Sequence, residues 1–156
     1  MPRPRRIYYN NAVYHVTVRA NNREPIFNDT WSKEKFLETL ARYQKRHGFA
    51  LYAYVIMPTH FHLVIETSHE KTISKVMHGF ILSLSCSFRR RNKRTGHVWE
   101  SPFHSRLIED GQYLNTAVKY VENNPVRAGL IDEASEYKWG SAKKNSSSII
   151  ISTPTS

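Results

Sequence analysis

The chain has 156 residues, 40% hydrophobic and 12% aromatic, which fits one folded domain and excludes a disordered polypeptide. Its 23 Lys and Arg against 13 Asp and Glu give a formal net charge of +10 at pH 7, which favours an anionic partner, nucleic acid first. Cys86 is the only cysteine, so an internal disulfide and CxxC chemistry are excluded, and no stretch approaches the ~20 apolar residues of a membrane-spanning helix. The start Met1-Pro2-Arg3-Pro4-Arg5-Arg6 has charge without a following apolar segment, unlike a secretory signal, so cytoplasmic residence is the expectation.

Residues 1–11 read as a basic arm whose prolines remove backbone donors. Residues 12–19 (AVYHVTVR) alternate as a first strand, with Tyr14, Val16 and Val18 toward the core and His15 and Thr17 sharing the other face. Asn21-Asn22-Arg23-Glu24-Pro25 is a loop. Asp29 or Thr30 caps a helix beginning near Trp31, which carries Phe36, Leu37, Leu40, Ala41 and Tyr43 on one stripe and ends at His47-Gly48. Phe49 to Met57 is a nearly unbroken apolar run, the pattern of a central strand covered on both faces. Pro58-Thr59 turns the chain, and His60 to Thr67 returns as the next strand.

A second helix over about 73–91 follows from the spacing of Ile73, Val76, Met77, Phe80, Ile81, Leu84 and Phe88. It runs into Arg89-Arg90-Arg91-Asn92-Lys93-Arg94 and stops at a Thr95-Gly96 turn. Ser105 to Glu109 reads as a short fourth strand. Asp110 caps a third helix to about Asn123, packed by Leu114, Ala117, Val118 and Val121, with Pro125 marking its end. From about Asn145 a serine-rich tail containing Ile149 to Ile151 is expected to be unstructured, giving an arm (1–11), one domain (12–142) and a tail (143–156). The order β-α-β-β-α-β predicts an α+β, ferredoxin-like split βαβ fold: an antiparallel sheet with two helices on one face and an additional helix free to cross the other.

His60 and His62 are two apart on a strand and share a face, while Phe61, Leu63 and Ile65 point the opposite way. Imidazole is the commonest transition-metal ligand, so the pair suggests a metal site, against the plainer reading of two surface histidines. A third donor must come from elsewhere: Glu66 on the same strand face, His15 on the first strand, or a residue of the third helix. On that helix Tyr120 and Asn124 are four apart and share a face, although taken alone a packing aromatic and a polar cap are the favoured reading, since the chain has nine tyrosines. Arg89, Arg90, Arg91, Lys93 and Arg94 suit phosphate contact, and Arg3, Arg5 and Arg6 resemble arms that track a nucleic-acid backbone. Trp99 and Phe103 are either stacking platforms for unpaired bases or core. His69, His78, His97 and His104 read as surface or structural. Gly-rich phosphate loops, Gly-x-Ser-x-Gly and zinc-finger spacings are absent from the sequence.

Three segments together resemble a known family: Val13-Tyr14-His15-Val16-Thr17, Met57-Pro58-Thr59-His60-Phe61-His62-Leu63, and Tyr120-Val121-Glu122-Asn123-Asn124-Pro125-Val126-Arg127-Ala128-Gly129-Leu130. The chain is similar, from about Pro2 to Ser141, to the IS200/IS605-like single-tyrosine (Y1) transposases of the HUH superfamily, and within them to the REP-associated tyrosine transposases. The resemblance implies a nuclease and strand transferase for single-stranded DNA that cuts near hairpins (REP-like palindromes). Tyr120 stands at the nucleophile position, forming a covalent 5′-phosphotyrosine. His60 and His62 stand at metal-ligand positions for Mg²⁺ or Mn²⁺, with Asn124 where the insertion-sequence members often place glutamine. The resemblance leaves monomer and homodimer open, since some relatives use a tyrosine helix in trans, and implies residence with the nucleoid DNA. The competing reading is a non-catalytic hairpin-DNA-binding protein that keeps the fold.

Overall fold

The structure, a computed structural model, describes residues 11–69, 71–101, 103–143 and 149–154, so Arg3, Arg5 and Arg6 lie outside the described residues. Alternation sets the first strand: β1 (Val13–Arg19) buries Tyr14, Val16 and Val18 and turns His15, Thr17 and Arg19 to its other face. The helix α1 (Thr30–His47) starts where the Asp29 carboxylate accepts from the Ser32 amide at 2.8 Å. It stops at Gly48, whose φ of 68° suits a residue without a Cβ. β2 (Ala50–Ile56) and β3 (His60–Glu66) flank the Pro58-Thr59 turn, and α2 (Ile73–Asn92) follows. β4 (His104–Ile108) precedes α3 (Gly111–Glu122), which Asp110 caps by accepting from the Tyr113 amide at 3.0 Å, and a short α4 (Asn124–Arg127) closes the series.

The sheet order is β2-β3-β1-β4 with every pairing antiparallel, the ferredoxin-like arrangement that the element order predicts. Both α1 and α2 cover one face, over a core that includes Phe27, Phe36, Phe61 and Phe80. Their close approach needs Gly79, where a Cβ would lie 2.9 Å from Cε1 of Tyr43. α3 crosses the opposite face over β2 and β3, burying Leu114 and Val121 against Ala53, Val55 and Val64. Two such side chains, at ~1.5–3 kcal/mol each, hold the tyrosine-bearing helix on the sheet.

Two expectations change, one is extended and one open alternative is resolved. β2 is an edge strand rather than a central one. It keeps its apolar run because α1 covers one face and α3 the other, and later segments close its free edge: the Ile56 amide donates to Trp139 O at 2.8 Å and the Ser141 amide to Tyr54 O at 2.9 Å. The tail is not loose over 149–152. Ile149 is buried, the Gln44 amide exchanges two hydrogen bonds with the Ile150 backbone (2.8 and 2.9 Å), and the Ser152 amide donates to Leu51 O. Pro125 ends α3 but also opens α4, where its missing N–H costs nothing. Trp99 and Phe103 are core, with the indole donating to Ser85 Oγ at 2.7 Å. Among the described residues no helix is long and apolar enough to cross a membrane.

Candidate active site

Strand geometry brings the histidines together as the spacing predicts. The rings of His60 and His62 lie 5.1 Å apart on the α3 side of the sheet. Register then supplies their neighbours: Arg19 stands opposite His60, Thr17 opposite His62, and His15 opposite Val64. Across the next ladder Thr17 faces His104 and His15 faces Arg106. Side chains paired across antiparallel strands share a face, so all of these flank one surface.

His62 is held at both nitrogens. His15 Nε2 and Thr17 Oγ1 each lie 3.0 Å from its Nδ1, and the Asn124 amide nitrogen lies 3.1 Å from its Nε2. An amide N–H donates to Nε2, so Nδ1 carries the ring proton with two acceptors within reach. His60 engages Thr59 Oγ1 through Nδ1 at 3.1 Å, which leaves its Nε2 for another partner. Burial pushes the His62 pKa down to about 3 and that of His60 to about 4; His15, His60, Arg19 and Arg127 add to the shift of His62, and Arg19 to that of His60. At neutral pH both rings are uncharged and each offers a lone pair. His15 is lowered too, by burial and then by Arg106.

α3 delivers Tyr120 to this cluster. Its ring is 6.1 Å from that of His62 and 5.8 Å from that of His15 in the same chain, and at 49% exposure it remains open to a large substrate. The break at Asn123 (φ −89°, ψ 0°) turns the chain so that Asn124 reaches His62 while Arg127 folds back. The guanidinium carbon of Arg127 sits 4.0 Å from the Tyr120 ring centre, and its Nη2 donates to Tyr120 O at 2.7 Å.

Tyr120, His60, His62 and Asn124 are thus brought together. Glu66 is not: it lies six residues along β3 from His60, ~20 Å, and lies near the Tyr52 hydroxyl at 3.5 Å. His15 sits on the His62 nitrogen that faces away from Asn124. The cations of residues 89–94 lie on the opposite layer, at the end of α2 that adjoins the end of β1. Thr17, Arg19, Arg106 and Arg127 join the site without having been singled out by sequence. Alternation in β1 already places Thr17 and Arg19 on the His15 face; Arg106 and Arg127 need the sheet register and the α3–α4 break.

Among the described residues no group of three or more His, Cys, Asp or Glu is arranged to hold a metal ion. The donor set on this face is two neutral imidazoles and one amide, which suits a divalent cation: a half-turn of the Asn124 amide exchanges its nitrogen for Oδ1 beside His62 Nε2.

The profile of the transposase family described as IS200-like matches residues 8–124, three quarters of the chain. The chain belongs to the IS200-like transposase family. That family membership makes it a DNA transposase. A Haemophilus influenzae protein provisionally named a REP-associated tyrosine transposase is 22% identical over 147 residues, covering 88% of this chain and 83% of its own. An uncharacterized protein of the same organism is 21% identical over 150 residues, covering 76% and 83%. Among solved structures, a REP-associated tyrosine transposase bound to a REP hairpin superposes with a TM-score of 0.73 at 16% identity, over 100% of this chain and 98% of that one. A Deinococcus radiodurans protein provisionally named a transposase gives 0.53 at 16% identity, over 79% and 97%. Both share the fold of this transposase.

Proposed function

We propose that this transposase cleaves and rejoins single-stranded DNA beside a hairpin, with Tyr120 as nucleophile and a covalent 5′-phosphotyrosine as intermediate. The observation that carries the reading is the approach of the Tyr120 ring to His62 and His15 of its own chain, next to two neutral histidines and Asn124. The solved relative bound to a REP hairpin makes REP-like palindromes the substrate class to test first, and the net charge of +10 suits it. The approach of the tyrosine to the histidines within one chain supports a tyrosine acting in cis.

The Tyr120 oxygen attacks phosphorus, the P–O bond to the 3′-oxygen breaks, the tyrosine proton departs and the 3′-oxygen gains one, so the phosphodiester keeps its charge. The same bond energy then serves rejoining. His60 and His62, through Nε2, and Asn124, through Oδ1, would hold a divalent ion such as Mg²⁺ or Mn²⁺. When bound, such an ion polarises a non-bridging phosphate oxygen and stabilises the charge that develops there. His15 and Thr17 fix the tautomer and the tilt of the His62 ring, as outer partners of metal-binding histidines do. Arg127 packs on the nucleophile's ring and limits its rotation. The positive end of α2, from Arg89 to Arg94, and the arm with Arg3, Arg5 and Arg6 contribute phosphate contacts outside the reaction centre.

Incubating the protein with a labelled hairpin oligonucleotide carrying a single-stranded flank, in Mn²⁺, tests this. Wild type gives a band that survives denaturing electrophoresis and Tyr120→Phe gives none; absence of the band from wild type rejects the covalent mechanism.

A further inference from the structure

Three guanidiniums surround the His–Tyr cluster from three different elements. Arg19 leaves the end of β1 opposite His60, Arg106 lies on β4 opposite His15, and Arg127 rises from α4 over the Tyr120 ring. Among the described residues none of the three has an acidic partner; the ion pairs seen there use Lys35, Arg91 and Arg94 instead. Among the described residues Arg127 donates only to a backbone carbonyl. α3 covers the β2–β3 half of this sheet face, while His104 and Arg106 on β4 are exposed, so the β1–β4 half at the histidine end lies open. Like charges gathered without counter-charge repel one another, and an anion laid among them relieves that cost.

We infer that Arg19, Arg106 and Arg127 form a phosphate-binding track for the DNA single strand, running over the open β1–β4 half of the sheet and delivering successive phosphodiesters to Tyr120. The inference rests on the strand-cleavage reading and adds the path of the strand. A track of backbone contacts predicts grip without base preference. Arg127, already stacked on the nucleophile, meets the phosphate nearest the reaction; Arg19 and Arg106 meet neighbouring ones.

The test is binding of fluorescent single-stranded oligonucleotides of several sequences to the full-length Tyr120→Phe protein in EDTA, measured by anisotropy across a salt series. Neither cleavage nor metal enters, so this result and the adduct result fail separately. Arg106→Gln, at an exposed position, is expected to weaken binding by about 3- to 10-fold for every sequence and to flatten the log Kd against log salt slope by about 0.7. Arg106→Lys is expected to keep most of the slope, because the charge remains. Arg19→Gln should match Arg106→Gln with an unchanged melting profile. Unaltered affinity and slope in Arg106→Gln overturns the track, and so does a loss confined to one base sequence.

Discussion

The molecule carries two cationic regions that differ in how their charge is used. At the end of α2 the run from Arg89 to Arg94 is conspicuous in the sequence, yet much of it is engaged within the chain. Arg94 pairs with Glu24, Arg91 stacks on Trp31 and approaches Asp29 at 3.9 Å, and Arg89 donates to Gly96 O. Around Tyr120 the cations are scattered over 109 positions of sequence, from Arg19 to Arg127, and have no acidic partner among the described residues. A charge run marks a surface, whereas unneutralised charge beside the proposed nucleophile suits the anion that the proposed reaction brings there.

The largest expected effect separates chemistry from grip. His62→Ala should lower the cleavage rate by at least about 100-fold while binding of the oligonucleotide changes little, since in the proposed mechanism it removes a group acting on the reacting phosphate. Replacing Arg89, Arg90 and Arg91 together by Gln should do the reverse: weaker, less salt-dependent hairpin binding, with the cleavage rate at saturating DNA within about 3-fold of wild type. Single-turnover rates and anisotropy on both proteins check this, and equal rate losses in the two would erase the distinction.

A smaller effect concerns the grip on His62. Thr17→Val removes one of the two groups near Nδ1 and should weaken Mn²⁺ binding by about 10-fold by calorimetry, with Thr17→Ser close to wild type. Unchanged affinity in Thr17→Val would mean that His15 alone orients the ring.

The smallest effect is on pH-dependent stability. His60 and His62 titrate lower in the folded chain than the ordinary value near 6.5, so between that pH and about 4 the unfolded chain binds protons the native state refuses. Their contribution is complete above pH 6.5 and is lost as pH falls. The melting temperature of the metal-free protein should drop by about 5 °C or more from pH 7 to pH 4.5, and less in His62→Gln. A flat wild-type profile would contradict the burial argument.

Much of the fold was legible because periodicity records which faces are covered. The stripes of α1 and α2, the Asp29 and Asp110 caps and the alternation of β1 all match the structure. Periodicity does not record neighbours along the sheet, which is why the apolar run of β2 read as central although it forms an edge. The docking of 149–152 on that edge was hidden for a similar reason: Ile149 and Gln44 are far apart in sequence, and the intervening serines suggest only looseness. Within the site, His60 and His62 follow from a two-residue period. Their partners Thr17 and Arg19 require the β1–β3 register, and Arg127 requires knowing that Pro125 restarts a helix rather than merely ending one.

The central claim is that Tyr120 carries the DNA between cleavage and rejoining. Digesting the denaturation-resistant adduct with protease and nuclease and sequencing the modified peptide by tandem mass spectrometry tests it directly. The account predicts a nucleotide joined through its 5′-phosphate to Tyr120; attachment at another residue, such as Tyr113 one turn pair earlier on α3, or a free 5′-phosphate with no linked peptide, would contradict it.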